Sequence, residues 1–352
     1  MSKYIGGPLV ILLLLLAWPL VILLLPLAWL FDGAARLRVW MYRAGYLKSH
    51  RPPWPTLSIG NISAGGTGKT PLLFSALKWF AENSAEAAVL SRGYGGDEGV
   101  ILRQRFPQVS LIENPDRIAG MRELKEKHNP EVLVLDDGFQ HLRLQRDIDI
   151  VVVDATRPFG PTFPAGLFRE SARALRRADL VVVTRVDLVD EQRREDIQAR
   201  IAKTRMGLPE LPRVEAKMAA THLRQVISGD THDLAMLDGV NASLAAGIGN
   251  HQSFADLCES LGVNIASYQR LADHHQWTSD DVLALADADL VLVTEKDGVK
   301  LCEIASDKFF EVCVDVEFVT GAEHFEQKLF DLHLPARAAR IEPLWEGVSN
   351  VD

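Results

Sequence analysis

The chain has 352 residues, 47% of them hydrophobic, a formal net charge of −9 and three cysteines. That length accommodates two domains of ordinary size with a large core, and the negative balance argues against a nucleic-acid binder. The cysteines, Cys258, Cys302 and Cys313, form no C-x-x-C pair, so neither a zinc site nor a disulfide framework is suggested and a reducing, cytoplasmic setting fits the globular part.

Residues 8–31 carry no charge, and a bilayer needs about 20 apolar residues. Trp29 and Trp40 suit an interface, and membrane helices tolerate kinking residues such as Pro19 and Pro26. A cleaved signal peptide would have a shorter apolar region ending in small residues, unlike Phe31-Asp32-Gly33. The expectation is a retained membrane segment over 1–31 that crosses the bilayer or enters it as a kinked hairpin. Arg36, Arg38, Arg43, Lys48 and Arg51 follow it, against Lys3 before it, which puts the rest of the chain in the cytoplasm. Residues 32–55 are basic and, over 34–47, amphipathic, as in a helix lying on anionic headgroups. Arg51-Pro52-Pro53-Trp54-Pro55 is a stiff break.

From residue 56 to about 210, apolar strands alternate with helical stretches. Strands are expected over 56–60, 87–91, 109–112, 132–136, 148–154 and 179–184. Runs such as Ile148-Asp149-Ile150-Val151-Val152-Val153 suit a parallel sheet buried on both faces. The fold class is therefore α/β, a doubly wound and mostly parallel sheet of the P-loop NTPase type. Its first strand runs into Ser63-Ala64-Gly65-Gly66-Thr67-Gly68-Lys69-Thr70 and then a helix. This is the layout of a phosphate-binding loop, although the strict pattern has glycine where Ser63 stands. Backbone N–H groups and the helix N-terminus cradle phosphates there, Lys69 reaches the outer phosphates, and the Thr70 hydroxyl meets Mg²⁺. The bland alternative is a glycine-rich turn, but both the flanking strand and the helix are present.

Ligands of such sheets sit at the carboxyl ends of strands. Three motifs lie there: Ser91-Arg92-Gly93-Tyr94-Gly95-Gly96-Asp97-Glu98, Asp136-Asp137-Gly138-Phe139-Gln140-His141, and Pro164-Ala165-Gly166-Leu167-Phe168-Arg169-Glu170. An apolar strand ending in aspartate is the usual partner of a phosphate loop, because that acid holds Mg²⁺. Taken singly, these motifs also read as a turn, an N-cap acid and a solvated Arg–Glu pair. Arginines such as Arg117 and Arg169 match phosphate by a planar fork.

Over 211–335 a polar connection, a candidate β-ribbon, leads to a second, smaller α/β lobe. It has a strand ending at Gly247-Ile248-Gly249-Asn250, a helix over 253–261, a polar loop with Asp273-His274-His275, and a strand over 289–294 ending at Glu295-Lys296-Asp297. Paired histidines with an acid but no regularly spaced further ligand suit acid–base work better than a metal. Residues 336–352 read as a mobile tail.

The phosphate loop with Asn61-Ile62-Ser63, the Ser91 and Asp136 motifs, Asn114-Pro115-Asp116-Arg117, Arg146-Asp147, the Pro164 motif, Gly247 to Asn250, Asp273-His274-His275 and Thr294-Glu295-Lys296-Asp297 occur in one order. In that set the chain resembles the tetraacyldisaccharide 4'-kinase family from about Leu30 to about Leu301. The resemblance departs at Gly96-Asp97-Glu98, which here follows Tyr94-Gly95 directly, and at Leu167-Phe168. It implies an ATP- and Mg²⁺-dependent kinase on the cytoplasmic face of a Gram-negative inner membrane, acting on a tetraacyl disaccharide 1-phosphate in lipid A synthesis. It implies Asp97 as the base, His274 as its partner and Lys69 as electrostatic catalyst. Thr70, Asp137 and Glu170 follow as metal partners, and Asn61, Arg92, Arg117, Gln140, His141 and Arg169 as substrate contacts. The competing class is a membrane-anchored nucleotidase or switch with no lipid acceptor.

Overall fold

A computed structural model describes residues 8–93, 96–273 and 275–346, with side chains from 23 to 334. A 36-residue helix, α1 (Pro8–Arg43), leads the chain. It runs unbroken through Pro19 and Pro26, which is not the hairpin that the prolines allow. Among the described residues no helix is long and apolar enough to cross a membrane, and the side chains of 8–22 lie outside the description.

The first α/β unit follows as β1 (Thr56–Asn61), α2 (Lys69–Glu82), β2 (Ala87–Ser91), α3 (Asp97–Arg105), β3 (Ser110–Glu113), α4 (Arg117–Lys127), β4 (Val132–Asp136), β5 (Ile148–Asp154), β6 (Leu180–Thr184) and α5 (Glu191–Thr204). Its strands run in the order β6-β5-β1-β4-β2-β3 and pair in parallel throughout. Alternate side chains explain the apolar runs. Leu57, Ile59, Val134, Ile150, Val152 and Val182 face Leu72, Leu77 and Phe80 of α2. Val151, Val153, Val181 and Val183 face the opposite layer, with Leu175, Ile197 and Ile201. Both faces are covered, so every residue of β1 and β5 is buried.

The second unit contains β7 (Glu215–Gln225), β8 (Thr231–His232), β9 (Asn241–Ala246), α6 (His251–Ser260), β10 (Asn264–Arg270), α7 (Ser279–Leu283), β11 (Val291–Thr294), α8 (Glu295–Leu301), β12 (Phe309–Thr320) and α9 (Ala322–Glu346). The ribbon is β7 with β12, long antiparallel partners. Through it the two units share one 12-stranded sheet, β10-β9-β11-β12 being parallel on the far side. Helix α9 packs Phe325, Leu329 and Leu332 back into the first unit's core and continues to Glu346, across the stretch expected as a tail.

Candidate active site

The loop after β1 is held in shape from several directions. Gly65 and Gly68 take φ of 100° and 88°, the left-handed region that a side chain resists. A Cβ at Gly68 would also lie 2.6 Å from the Met218 side chain of β7. Asn61 Nδ2 donates to Thr67 Oγ1 (2.8 Å), and Thr184 Oγ1, at the end of β6, donates to the Thr67 carbonyl (2.8 Å). The Pro164–Glu170 segment lies along the other side, where Ala64 N donates to Leu167 O (2.7 Å) and Arg169 N to Ile62 O (2.9 Å). That bracing leaves Ala64, Gly65 and Gly66 exposed at the N-terminus of α2, an arrangement open to an anion.

Lys69 and Thr70 begin α2 and meet the acids of the neighbouring strand ends. Lys69 Nζ lies 3.6 Å from Asp137 Oδ1, and Arg169 Nη1 lies 2.6 Å from Asp137 Oδ2. Thr70 Oγ1 donates to Glu98 Oε1 (3.0 Å), which also takes Lys296 Nζ from α8 (2.7 Å). Burial pushes the Asp137 and Glu98 carboxyls up. The facing cations, with a hydrogen bond from Thr70 to Glu98, outweigh that and hold both below the usual carboxylate range: Lys69 and Arg169 for Asp137, and Lys296 and Lys69 for Glu98. Asp136 is different. Burial, then Glu98 and Asp137, push it up to about 6. The proton on Asp136 therefore stabilises the fold below the ordinary carboxylate value, and that contribution is lost as pH rises through about 6. At neutral pH the ionised group is a cost that a cation would relieve.

The donor set therefore fits Mg²⁺. Asp137 Oδ1 is buried with no hydrogen-bond partner, and the Thr70 hydroxyl spends its proton on Glu98, leaving lone pairs free. Thr70 and Asp137, with Glu98 behind them, are hard oxygen ligands of the kind that ion takes.

The profile of the tetraacyldisaccharide-1-P 4'-kinase family matches residues 20–98 and 95–333. The chain is 35% identical over 333 residues to the tetraacyldisaccharide 4'-kinase of Anaeromyxobacter sp. (strain K), covering 85% of this chain and 87% of the relative. It is 34% identical over 351 residues to that of Syntrophotalea carbinolica, covering 89% and 92%. The chain belongs to the tetraacyldisaccharide 4'-kinase family. A crystal structure of LpxK from Aquifex aeolicus in complex with ATP has the same fold, with a TM-score of 0.73 at 24% identity over 89% of this chain and 99% of that one.

Within this 4'-kinase family member the expected residues separate into groups. Ser63 to Thr70, Asp137 and Arg169 gather at the loop. Asp97 lies at the start of α3, buried, beside Lys300 of α8. His274 lies outside the described residues, while Arg92 is exposed beside the loop that leads to α3. Glu170, expected as a metal partner, is engaged by other side chains. Its two oxygens take Arg177 in a fork (2.8 and 2.9 Å), and Oε1 also takes Gln140 Nε2 (3.1 Å). A carboxylate so engaged braces the loop, because Gln140 Nε2 donates to the Asn61 carbonyl as well (2.8 Å).

Arg117 is likewise turned inward. It is 4% exposed and donates to the Asp136 and Asn114 carbonyls (2.9 and 3.3 Å), so it fixes the acid strand end rather than a headgroup. His141 is pushed down to about 4 by burial and by Arg117, Arg143, Arg146 and Arg38, so at neutral pH its ring is uncharged. Its Nε2 is buried without a partner and offers a hydrogen bond but no positive charge.

Sequence reasoning gave no role to Thr184, Lys296 or Lys300. The two lysines carried a signal, the spacing of four after the Thr294 cap that puts both on one face of a helix.

Proposed function

We infer that this chain transfers the γ-phosphoryl group of ATP to the 4'-hydroxyl of a tetraacyl glucosamine disaccharide 1-phosphate, a step of lipid A biosynthesis that yields lipid IVA. The observation that carries it is the meeting of Lys69, Thr70, Glu98 and Asp137 at one braced loop, in a chain of the 4'-kinase family. The exposed backbone of 64–66 and Lys69 hold the phosphates in line with the acceptor. Mg²⁺, when bound at Thr70 and Asp137, supplies charge neutralisation at the transferring group. Asp97 takes the hydroxyl proton as the new O–P bond forms and the γ-phosphorus–oxygen bond to ADP breaks. Incubation with labelled ATP and the tetraacyl disaccharide 1-phosphate, followed by lipid chromatography, tests this. Label in a lipid with one more phosphate is expected, and ATP turnover indifferent to the lipid would point to a nucleotidase instead.

The acceptor and the anchor meet at α1, which seats the enzyme on the cytoplasmic face of the inner membrane. Leu23, Trp29 and Leu30 are 73%, 70% and 70% exposed, too much apolar surface to leave in water. Phe163 and Leu167, on the segment that braces the phosphate loop, extend that surface. The same segment docks α1, since Thr162 Oγ1 donates to Ala28 O (3.0 Å) and Ser171 N to Asp32 Oδ1 (3.2 Å). A chain lacking residues 1–31 should bind anionic vesicles more weakly than the full chain, through its remaining arginines, and release them in high salt. Equal binding by that chain at low and high salt would remove the headgroup contact.

A further inference from the structure

The Thr294-Glu295-Lys296-Asp297 motif has no part in the reaction as derived, yet every member is committed. Thr294 Oγ1 caps α8 and donates to Asp297 Oδ2 (2.6 Å). Asp297, wholly buried, also accepts from Gly247 N (3.0 and 3.1 Å) and from Trp277 Nε1 (3.0 Å). The start of α8, the turn after β9 and the loop around residues 275–277 are thereby locked to one carboxylate. Glu295 takes Arg105 of α3 in a fork (2.8 and 2.7 Å), and Arg105 also reaches Asp315. Docking of α3 on the second unit is therefore already secured at its far end.

At the near end α8 presents two lysines to two consecutive acids. Lys296 reaches Glu98, and Lys300, one turn on, lies 2.9 Å from Asp97 Oδ2. The Lys300 and Asp97 side chains are only 10% and 11% exposed, so the charges meet out of water. Lys300 Nζ also donates to the carbonyl of His275 (3.3 Å). One ammonium thus joins the carboxylate of the first unit to the loop of the second unit that carries Asp273 and His275.

We propose that Lys300 is a positioning residue for the acceptor-proton base: it fixes the Asp97 carboxylate and ties it to the His275 carbonyl of the second unit, so the base is set only when α8 is seated on α3. This rests on the reading of Asp97 as the base. Lysine suits the task because its three donors radiate from a compact charge, one to the acid and one to the carbonyl. A buried carboxylate left without its cation turns toward water or another donor, and a displacement of about 1 Å in a reacting group costs about 10²-fold.

The test is a cycle of Lys300→Met and Asp97→Asn, singly and together, at saturating ATP and lipid, with melting curves for each variant. Lys300→Met should lower kcat about 30-fold or more while the KM for ATP stays within about twofold. Lys300→Arg should recover most of the loss. In the Asp97→Asn background Lys300→Met should cost less than about twofold, because there is no longer a base to position. Multiplying losses would overturn the proposal and make the pair a docking contact like Arg105. Normal kcat in Lys300→Met with a crippled Asp97→Asn would overturn it while sparing Asp97. Normal kcat in Asp97→Asn would overturn the base and, with it, this role for Lys300. Should Lys300→Met fail to fold, Lys300→Gln carries the same cycle with the same expectations.

Discussion

Replacing Lys69 with alanine should abolish phosphoryl transfer while leaving the chain folded. Lys69 lies among three carboxyls, pairing with Asp137 at 3.6 Å and offsetting the charge of Glu98 and Asp136. Its removal takes away the loop's own cation where charge moves in the transition state. One preorganised group at such a place is worth about 10²–10³-fold in kcat. Here the loss is larger, because the same change leaves like charges facing one another and weakens the hold on the phosphates. The fold is spared because α2 is anchored by Leu72, Leu73, Leu77 and Phe80 further along. Turnover of labelled ATP in the lipid assay, with a melting curve as control, checks this. Near-normal turnover would take the loop out of the mechanism.

Asp97→Asn should lower kcat about 10²–10⁴-fold with little change in the KM for ATP, since a base acts on the chemical step. Asparagine keeps the size of the side chain and can still accept from Lys300, so the geometry at α3 survives while the proton acceptor is lost. His274→Ala should fall in the same range if it shares the proton, and the double variant should be scarcely worse than the worse single one. An Asp97→Asn enzyme with normal kcat would move the search to Glu98, Asp136 or Asp273. Of these, Glu98 is committed to Thr70 and Lys296, and Asp136 is nine-tenths neutral only about one unit below its value of about 6.

The reach of the sequence followed burial and locality. Strands 87–91, 132–136 and 148–154 were legible because both faces of the sheet are covered, which turns each into a continuous apolar run. β10 and β12 escaped: no residue of β10 is buried, and along β12 burial stops after Cys313. The phosphate loop was legible because its chemistry is set by neighbours in sequence: two glycines with positive φ, then lysine and threonine at a helix start.

Partner choice was not legible in the same way. Arg169-Glu170 reads as a pair, yet Arg169 turns to Asp137 and Glu170 to Arg177 and Gln140. Arg117 reads as a phosphate ligand, yet burial gives it two carbonyls. The family, the parallel core and the loop that meets phosphate can be read along the chain, because local backbone geometry and apolar periodicity are written in adjacent residues. That one sheet joins both units, and that Lys296 and Lys300 meet Glu98 and Asp97, comes from long-range packing. Charged side chains pair with whatever the fold brings within a few ångströms, and that distance is set by the β7–β12 ribbon and the seating of α8 on α3, not by separation along the chain.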